Sequence, residues 1–158
     1  MEIYNSFQTS VKKALDEIDS NWPKYKGLII CGTHSPEDTE RLIDKIRIAR
    51  ELKLPYLGIC FGHQMAAIEY ARNVLGIKDA TSEEFGTGTF VVKKRSELKV
   101  GLYDGESYWN NFEVDLPNWD KPENFFTSQF HPEYESSIDR PHPLLVKFLK
   151  YAKEASLS

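Results

Sequence analysis

At 158 residues, with 41% hydrophobic and 28% charged side chains, the chain has the length of one ordinary domain and the composition of a globular one. Its net charge of -4 comes without any long run of Lys and Arg, which argues against nucleic acid or anionic lipid as partners, and no apolar stretch approaches membrane-spanning length. The first residues lack the basic and then apolar layout of a signal peptide, so a cytoplasmic protein is expected, and two cysteines, Cys31 and Cys60, cannot build a disulfide framework.

In chain order, the apolar positions Phe7, Val11, Leu15 and Ile18 predict a first helix over residues 6–18. Residues 27–31 are apolar on both faces and β-branched, the pattern of a buried parallel strand, and Gly32 breaks it. Ser35 then reads as the cap of a second helix, with Pro36 in its first turn and Glu37 and Asp38 at the positive end, running to about Leu52. A second buried-strand pattern over 55–60 leads into a helix over 62–75, with Met65, Ile68, Ala71 and Leu75 on one side and Gly76 as the C-terminal cap. Residues 86–92 and 99–103 read as antiparallel or edge strands, 124–130 as another short strand, and 142–155 as a last helix. Strand, tight turn and helix recur in the first half, which predicts an α/β fold with a parallel sheet. No repeat or linker divides the chain, so one domain over 1–158 is expected.

The stretch Gly58-Ile59-Cys60-Phe61-Gly62, between a predicted strand and helix, has the spacing of a nucleophile elbow. Glycines two residues either side remove the side chains that would collide in so tight a bend, and a position at a helix start favours thiolate over thiol. The Phe61 N–H would then point to where an oxyanion forms. The competing reading is a buried structural cysteine between packing glycines. Towards the other end, His131-Pro132-Glu133 follows a short apolar strand; in an extended segment residues two apart face one way, so Glu133 could orient His131 as the base for Cys60. His34 and His142 have no Cys or acidic neighbours at metal-ligand spacing, so no metal site is expected, and His63, at a helix start, reads as packing or making a local hydrogen bond. Cys31 reads as core. The aromatic cluster Tyr103, Tyr108, Trp109 and Phe112 reads as core or as a pocket rim, with Trp109, Asn110 and Asn111 the choice for altered substrate contacts.

These residues resemble the class I glutamine amidotransferases and, within them, the glutaminase domain of CTP synthase. One block runs from PYLGICFGHQ at 55–64 through IEYARNVLG at 68–76 to ATSEEF at 80–85; the other runs from QFHPEY at 129–134 to Pro143 and Leu144; a weaker echo is NSFQTSV at 5–11. The resemblance implies a three-layer sandwich with a mainly parallel central sheet, flavodoxin-like and trimmed at one edge. It makes Cys60, His131 and Glu133 a triad, Gly32 the second oxyanion donor beside Phe61, and Gln64 and Glu84 contacts to a small-molecule amide substrate. The implied reaction is attack of Cys60 on a carboxamide, release of ammonia and hydrolysis of the thioester, with no cofactor.

The chain departs from the family in four respects. The glycine-rich oxyanion loop is reduced to Gly32-Thr33-His34-Ser35. Asn111 precedes Phe112-Glu113-Val114 where the family has an arginine for the substrate α-carboxylate, and a neutral amide cannot make that bidentate charged contact. The chain starts after the position of the family's first strand and leaves no room between Ile18 and Lys26 for the second. Finally, no GxxxxGK[ST] loop occurs, so a shortened, stand-alone domain is expected rather than a whole synthase. The readings that follow are a hydrolase of glutamine or a related γ-glutamyl amide, a catalytically impaired binding or regulatory domain, and an ammonia-supplying subunit of a separate synthetase. A homo-oligomer is also compatible.

Overall fold

A computed structural model describes the backbone of residues 1–99, 102–103, 106–107 and 110–157 and the side chains of 1–95 and 112–157. In chain order the elements are β1 (Glu2–Tyr4), α1 (Gln8–Ile18), β2 (Leu28–Ile30), α2 (Thr39–Glu51), β3 (Tyr56–Ile59), α3 (Phe61–Asn73), β4 (Ala80–Ser82) and β5 (Thr89–Lys99). They continue as β6 (Leu102–Tyr103), β7 (Glu106–Ser107), β8 (Asn110–Val114), β9 (Phe125–Ser128) and α4 (Pro143–Ser156). The central sheet has the order β1-β2-β3-β9 and every pairing in it is parallel.

Alternation along the strands sorts the core into two layers. Leu28, Ile30 and Tyr56 face Leu42, Ile43 and Ile46 of α2 and Met65 and Ile68 of α3. Ile29, Leu57 and Ile59 face Val11 and Leu15 of α1 and Leu145, Phe148 and Leu149 of α4. The expected three-layer sandwich follows. Each fully buried side chain of this size contributes about 1.5–3 kcal/mol, whereas a cap contributes about 1 kcal/mol. Burial therefore outweighs capping, and α1, α2 and α3 stand without a side-chain N-cap.

A second sheet, β4-β5-β8, contributes Ala80, Val91 and Val92 to the α2–α3 core; β5 overlaps the strand expected over 86–92 but starts at Thr89 and runs on to Lys99, parallel to β4 and antiparallel to β8, a strand the sequence pattern does not predict. Packing from both sides accounts for the burial of Phe61, Met65, Ala66, Ala67, Ile68 and Ala71 on α3, where a single stripe was expected. Leu75 lies beyond the helix end and is exposed. Gly76, at φ +77°, ends the helix from the left-handed region, and the Ile77 N–H bonds back to the Ala71 carbonyl at 2.9 Å.

Three expectations are corrected. The chain does not start after a first strand: Glu2–Tyr4 pairs with β2 and forms the sheet edge, a three-residue half-exposed strand too short to show alternation. The expected gap before β2 holds, since between α1 and β2 lies only a 3-10 turn, Trp22–Lys24. Ser35 does not cap α2: the helix starts at Thr39 after a left-handed Asp38 (φ 52°), and in the preceding loop Thr33 Oγ1 accepts the Ser35 N–H at 3.1 Å. The strand over 124–130 ends at Ser128, so His131 and Glu133 are not on an extended segment; Pro132–Tyr134 forms a 3-10 turn.

Candidate active site

Cys60 is the single residue between β3 and α3, and its φ of 56° and ψ of -100° place it outside the regions that L-residues favour. Such a conformation costs about 1–3 kcal/mol and persists only where its surroundings enforce it. Here they do. The Cys60 N–H donates to the Ser128 carbonyl at 2.7 Å, tying the turn to β9. A Cβ at Gly62 would overlap the Ile30 carbonyl oxygen, and one at Gly58 would lie 2.7 Å from the Gly62 carbonyl, so both glycines are steric requirements of the elbow. Phe61 N–H is the first of α3, where no carbonyl four residues back lies within the helix to accept it.

β9 runs beside β3 with Ser128 opposite Ile59, which delivers the residues after β9 to the same end of the sheet as Cys60. His131 and Glu133 are both buried, and Nδ1 of the imidazole lies 3.1 Å from Glu133 Oε2. That pairing engages Nδ1 of the ring. The Tyr134 ring stacks on the imidazole at 5.3 Å and 30°. Glu133 Oε1 is buried with no hydrogen-bond donor among the described residues. The 3-10 turn, rather than strand alternation, holds the His–Glu pair together.

Gly32 closes the group. A Cβ there would lie 3.2 Å from His131 Cε1, 3.3 Å from Phe7 Cδ2 and 3.5 Å from Cys60 Cβ, so the segment just after β2 packs against both the imidazole and the Cys60 turn. Its loop is held by Ser6 Oγ and Thr33 Oγ1 at 3.1 Å. Gln64, on the first turn of α3, is buried, and its Nε2 donates to Gln129 Oε1 at 3.3 Å, while Gln129 Nε2 lies 3.5 Å from Cys60 Sγ. Gln129 stands in the second sequence block. Its signal is its position, directly after the strand that pairs with β3.

Not every expected site residue joins this cluster. Glu84 lies on the turn after β4 with its N–H on Ser82 Oγ at 3.1 Å; no hydrogen bond joins it to Cys60, His131 or Glu133 among the described residues, and burial pushes its carboxyl up from the ordinary range. The backbone of Asn111 belongs to β8, but its side chain lies outside the described residues, as do those of Tyr103, Tyr108, Trp109 and Asn110. Phe112 packs against the α2–α3 core.

The two cysteines differ. Burial, with the Glu133 charge second, pushes the Cys31 thiol far up, which makes it core, as expected. His63 also behaves as a packing residue: Nδ1 lies 2.9 Å from Thr127 Oγ1, which also accepts from Lys121 Nζ at 3.0 Å, and the ring lies against Trp119. Among the described residues no group of His, Cys, Asp and Glu is placed to hold a metal ion, and no helix is long and apolar enough to cross a membrane.

A family profile described as Glutamine amidotransferase class-I matches residues 4–115, a span that holds Gly32, Cys60, Phe61, Gln64, Glu84 and Asn111. The chain is similar to CTP synthase of Methanoregula boonei, 31% identical over 177 residues, covering 80% of this chain and 34% of that enzyme. It is similar too to CTP synthase of Methanoculleus marisnigri, 29% identical, covering 97% of this chain and 41% of that enzyme. A third relative, CTP synthase of Bdellovibrio bacteriovorus, is 32% identical, with coverages of 80% and 35%. The chain thus spans roughly 34% to 41% of the length of these relatives. Among solved structures, the glutaminase domain of Trypanosoma brucei CTPS with bound acivicin superposes with a TM-score of 0.73 at 18% identity, covering 97% of this chain and 92% of that one. At that identity the superposition establishes the fold.

Proposed function

The chain belongs to the class I glutamine amidotransferases, and from that premise we propose that it is a cysteine hydrolase releasing ammonia from glutamine or a related γ-glutamyl amide through a thioester on Cys60. The observation that carries this is Cys60 in its strained elbow, with the paired His131 and Glu133 and the segment just after β2 packed beside it. His131 takes the thiol proton as the sulfur attacks the amide carbonyl. Negative charge then develops on the carbonyl oxygen, within reach of N–H donors on Phe61 and Gly32. On collapse His131 passes its proton to the amide nitrogen, the C–N bond breaks and ammonia leaves. A water, deprotonated by His131, attacks the thioester, releasing the carboxylic acid product and restoring the Cys60 thiol. Glu133 stabilises the imidazolium at both stages.

Gln64 and Glu84 are the proposed substrate contacts. Asn111, in place of a cation, directs the preference away from free glutamine towards an amide whose α-carboxylate needs no bidentate partner. The relatives are CTP synthases in which the matched region is a minor part of a longer chain, which favours a synthetase partner as the consumer of the ammonia. The test is ammonia release from glutamine and from a panel of γ-glutamyl amides, for the parent and for Cys60→Ala. At least one amide is expected to turn over, with a loss of more than about 10³-fold in the variant. If nothing turns over and a glutamine-like electrophile does not label Cys60, the domain is a binding or regulatory one.

A further inference from the structure

We infer that Gln129 is a positioning residue for the nucleophile, its carboxamide N–H holding the Cys60 sulfur as an acceptor and its own orientation set by Gln64. The inference rests on the reading of Cys60 as nucleophile and adds a residue to that site. Parallel pairing of β9 with β3, and the bond from the Cys60 N–H to the Ser128 carbonyl, place the residue after Ser128 beside Cys60 by backbone alone. The Gln129 side chain then closes a loop. Its Nε2 lies 3.5 Å from Cys60 Sγ, its Oε1 accepts from Gln64 Nε2 at 3.3 Å, and Gln64 is fixed to the same turn by its N–H on the Cys60 carbonyl at 3.1 Å.

A carboxamide can present either its oxygen or its nitrogen, and here Oε1 of Gln129 is turned to Gln64 and Nε2 to the sulfur. With Oε1 engaged by Gln64, the NH₂ group of Gln129 is the end that faces sulfur. A thiol is a weak acceptor and a thiolate a strong one, so a fixed N–H donor favours the charged form. Gln129 carries no proton in the reaction, which leaves proton transfer to His131. Its effect falls on the fraction of Cys60 present as thiolate and on the direction of the sulfur.

The readout is the pH dependence of Cys60 alkylation by iodoacetamide, followed by mass spectrometry of the Cys60 peptide, which needs no substrate. In Gln129→Met, of similar length but without a donor, the midpoint is expected to rise by about half to one pH unit, as befits one ordinary hydrogen bond. In Gln129→Glu, of equal size, a carboxylate facing the sulfur is expected to raise it further. Gln64→Leu is expected to raise the midpoint with Gln129 intact, and Gln64→Leu/Gln129→Met to add little to Gln129→Met, because both changes remove one bond. A merely structural role would lower the melting temperature and leave the midpoint in place. Unchanged midpoints in Gln129→Met and Gln129→Glu, or additive effects in the double variant, overturn the proposal. Shifted midpoints in a protein that turns over no amide would sustain it while removing the hydrolase reading.

Discussion

Glu133 shows how much of this site depends on one side chain. Its Oε2 orients the buried His131 at 3.1 Å, while its Oε1 has no donor among the described residues, so the carboxylate is desolvated on behalf of a single partner. A buried polar atom left unmet costs about 1–3 kcal/mol, a cost that a purely structural residue would have little reason to carry. Its return is expected in the transition state, where a cationic imidazole meets a full negative charge. Glu133→Gln keeps the volume and removes that charge, and an amide can also offer an N–H that favours the wrong tautomer of His131. The expected result is a loss of roughly 10²–10⁴-fold in kcat with KM little changed, read by ammonia release under saturating substrate. A change confined to KM would place Glu133 among the substrate contacts instead.

At the scale of the elements, α2 and α3 are joined by more than their apolar faces. Arg50 of α2 forks onto Glu69 of α3, with Nε 2.9 Å from Oε1 and Nη2 3.0 Å from Oε2, and Asn73 Nδ2 adds a bond to Oε2 at 2.9 Å. Glu69 is 1% exposed, so its charge depends on these partners. Removing the guanidinium strands a buried carboxylate, and Arg50→Met is expected to destabilise the fold by about 3 kcal/mol. Replacing both partners leaves no charge to strand, so Arg50→Met/Glu69→Met should recover most of that loss. Urea denaturation of the three proteins checks this, and equal losses in the single and double variants would mean that packing, not charge, joins the helices. Because α3 begins at the Cys60 turn, its seating on α2 also fixes that turn. None of this was legible in the sequence, where Arg50 and Glu69 are two unremarkable charges on predicted helices and only the tertiary packing brings them together.

For the whole molecule, legibility followed burial. β2 and β3, covered on both faces, read as unbroken apolar runs and disclosed the parallel sheet, whereas the half-exposed edge strand β1 left no pattern. The elbow was legible because its steric demands are local, and the His–Glu pair because its members stand two residues apart; the turn that holds them was not, since Pro132 fits an extended segment as readily as a 3-10 turn. His63 shows the same limit, because its surroundings come from distant parts of the chain. Burial, with the Lys121 charge second, pushes its imidazole down to about 3 from the ordinary 6.5. The sign follows from which state holds the proton. Between pH 6.5 and 3 the unfolded chain binds it and the folded one does not, so stability falls as pH drops through that window and His63 contributes no slope above it. The slope from one such group is at most about 1.4 kcal/mol per pH unit. Asp19, held low by the Tyr25 hydroxyl, acts in the same direction in more acidic solution, so the informative quantity is a difference between two proteins that share it. His63→Gln keeps a polar group for Thr127 and cannot be protonated in this range. Urea midpoints at pH 7, 6 and 5 are expected to converge between parent and variant as the pH falls, because only the parent bears the cost of a histidine kept neutral. Parallel curves would show that the imidazole is protonated in place, with Thr127 and Lys121 moving to accommodate it.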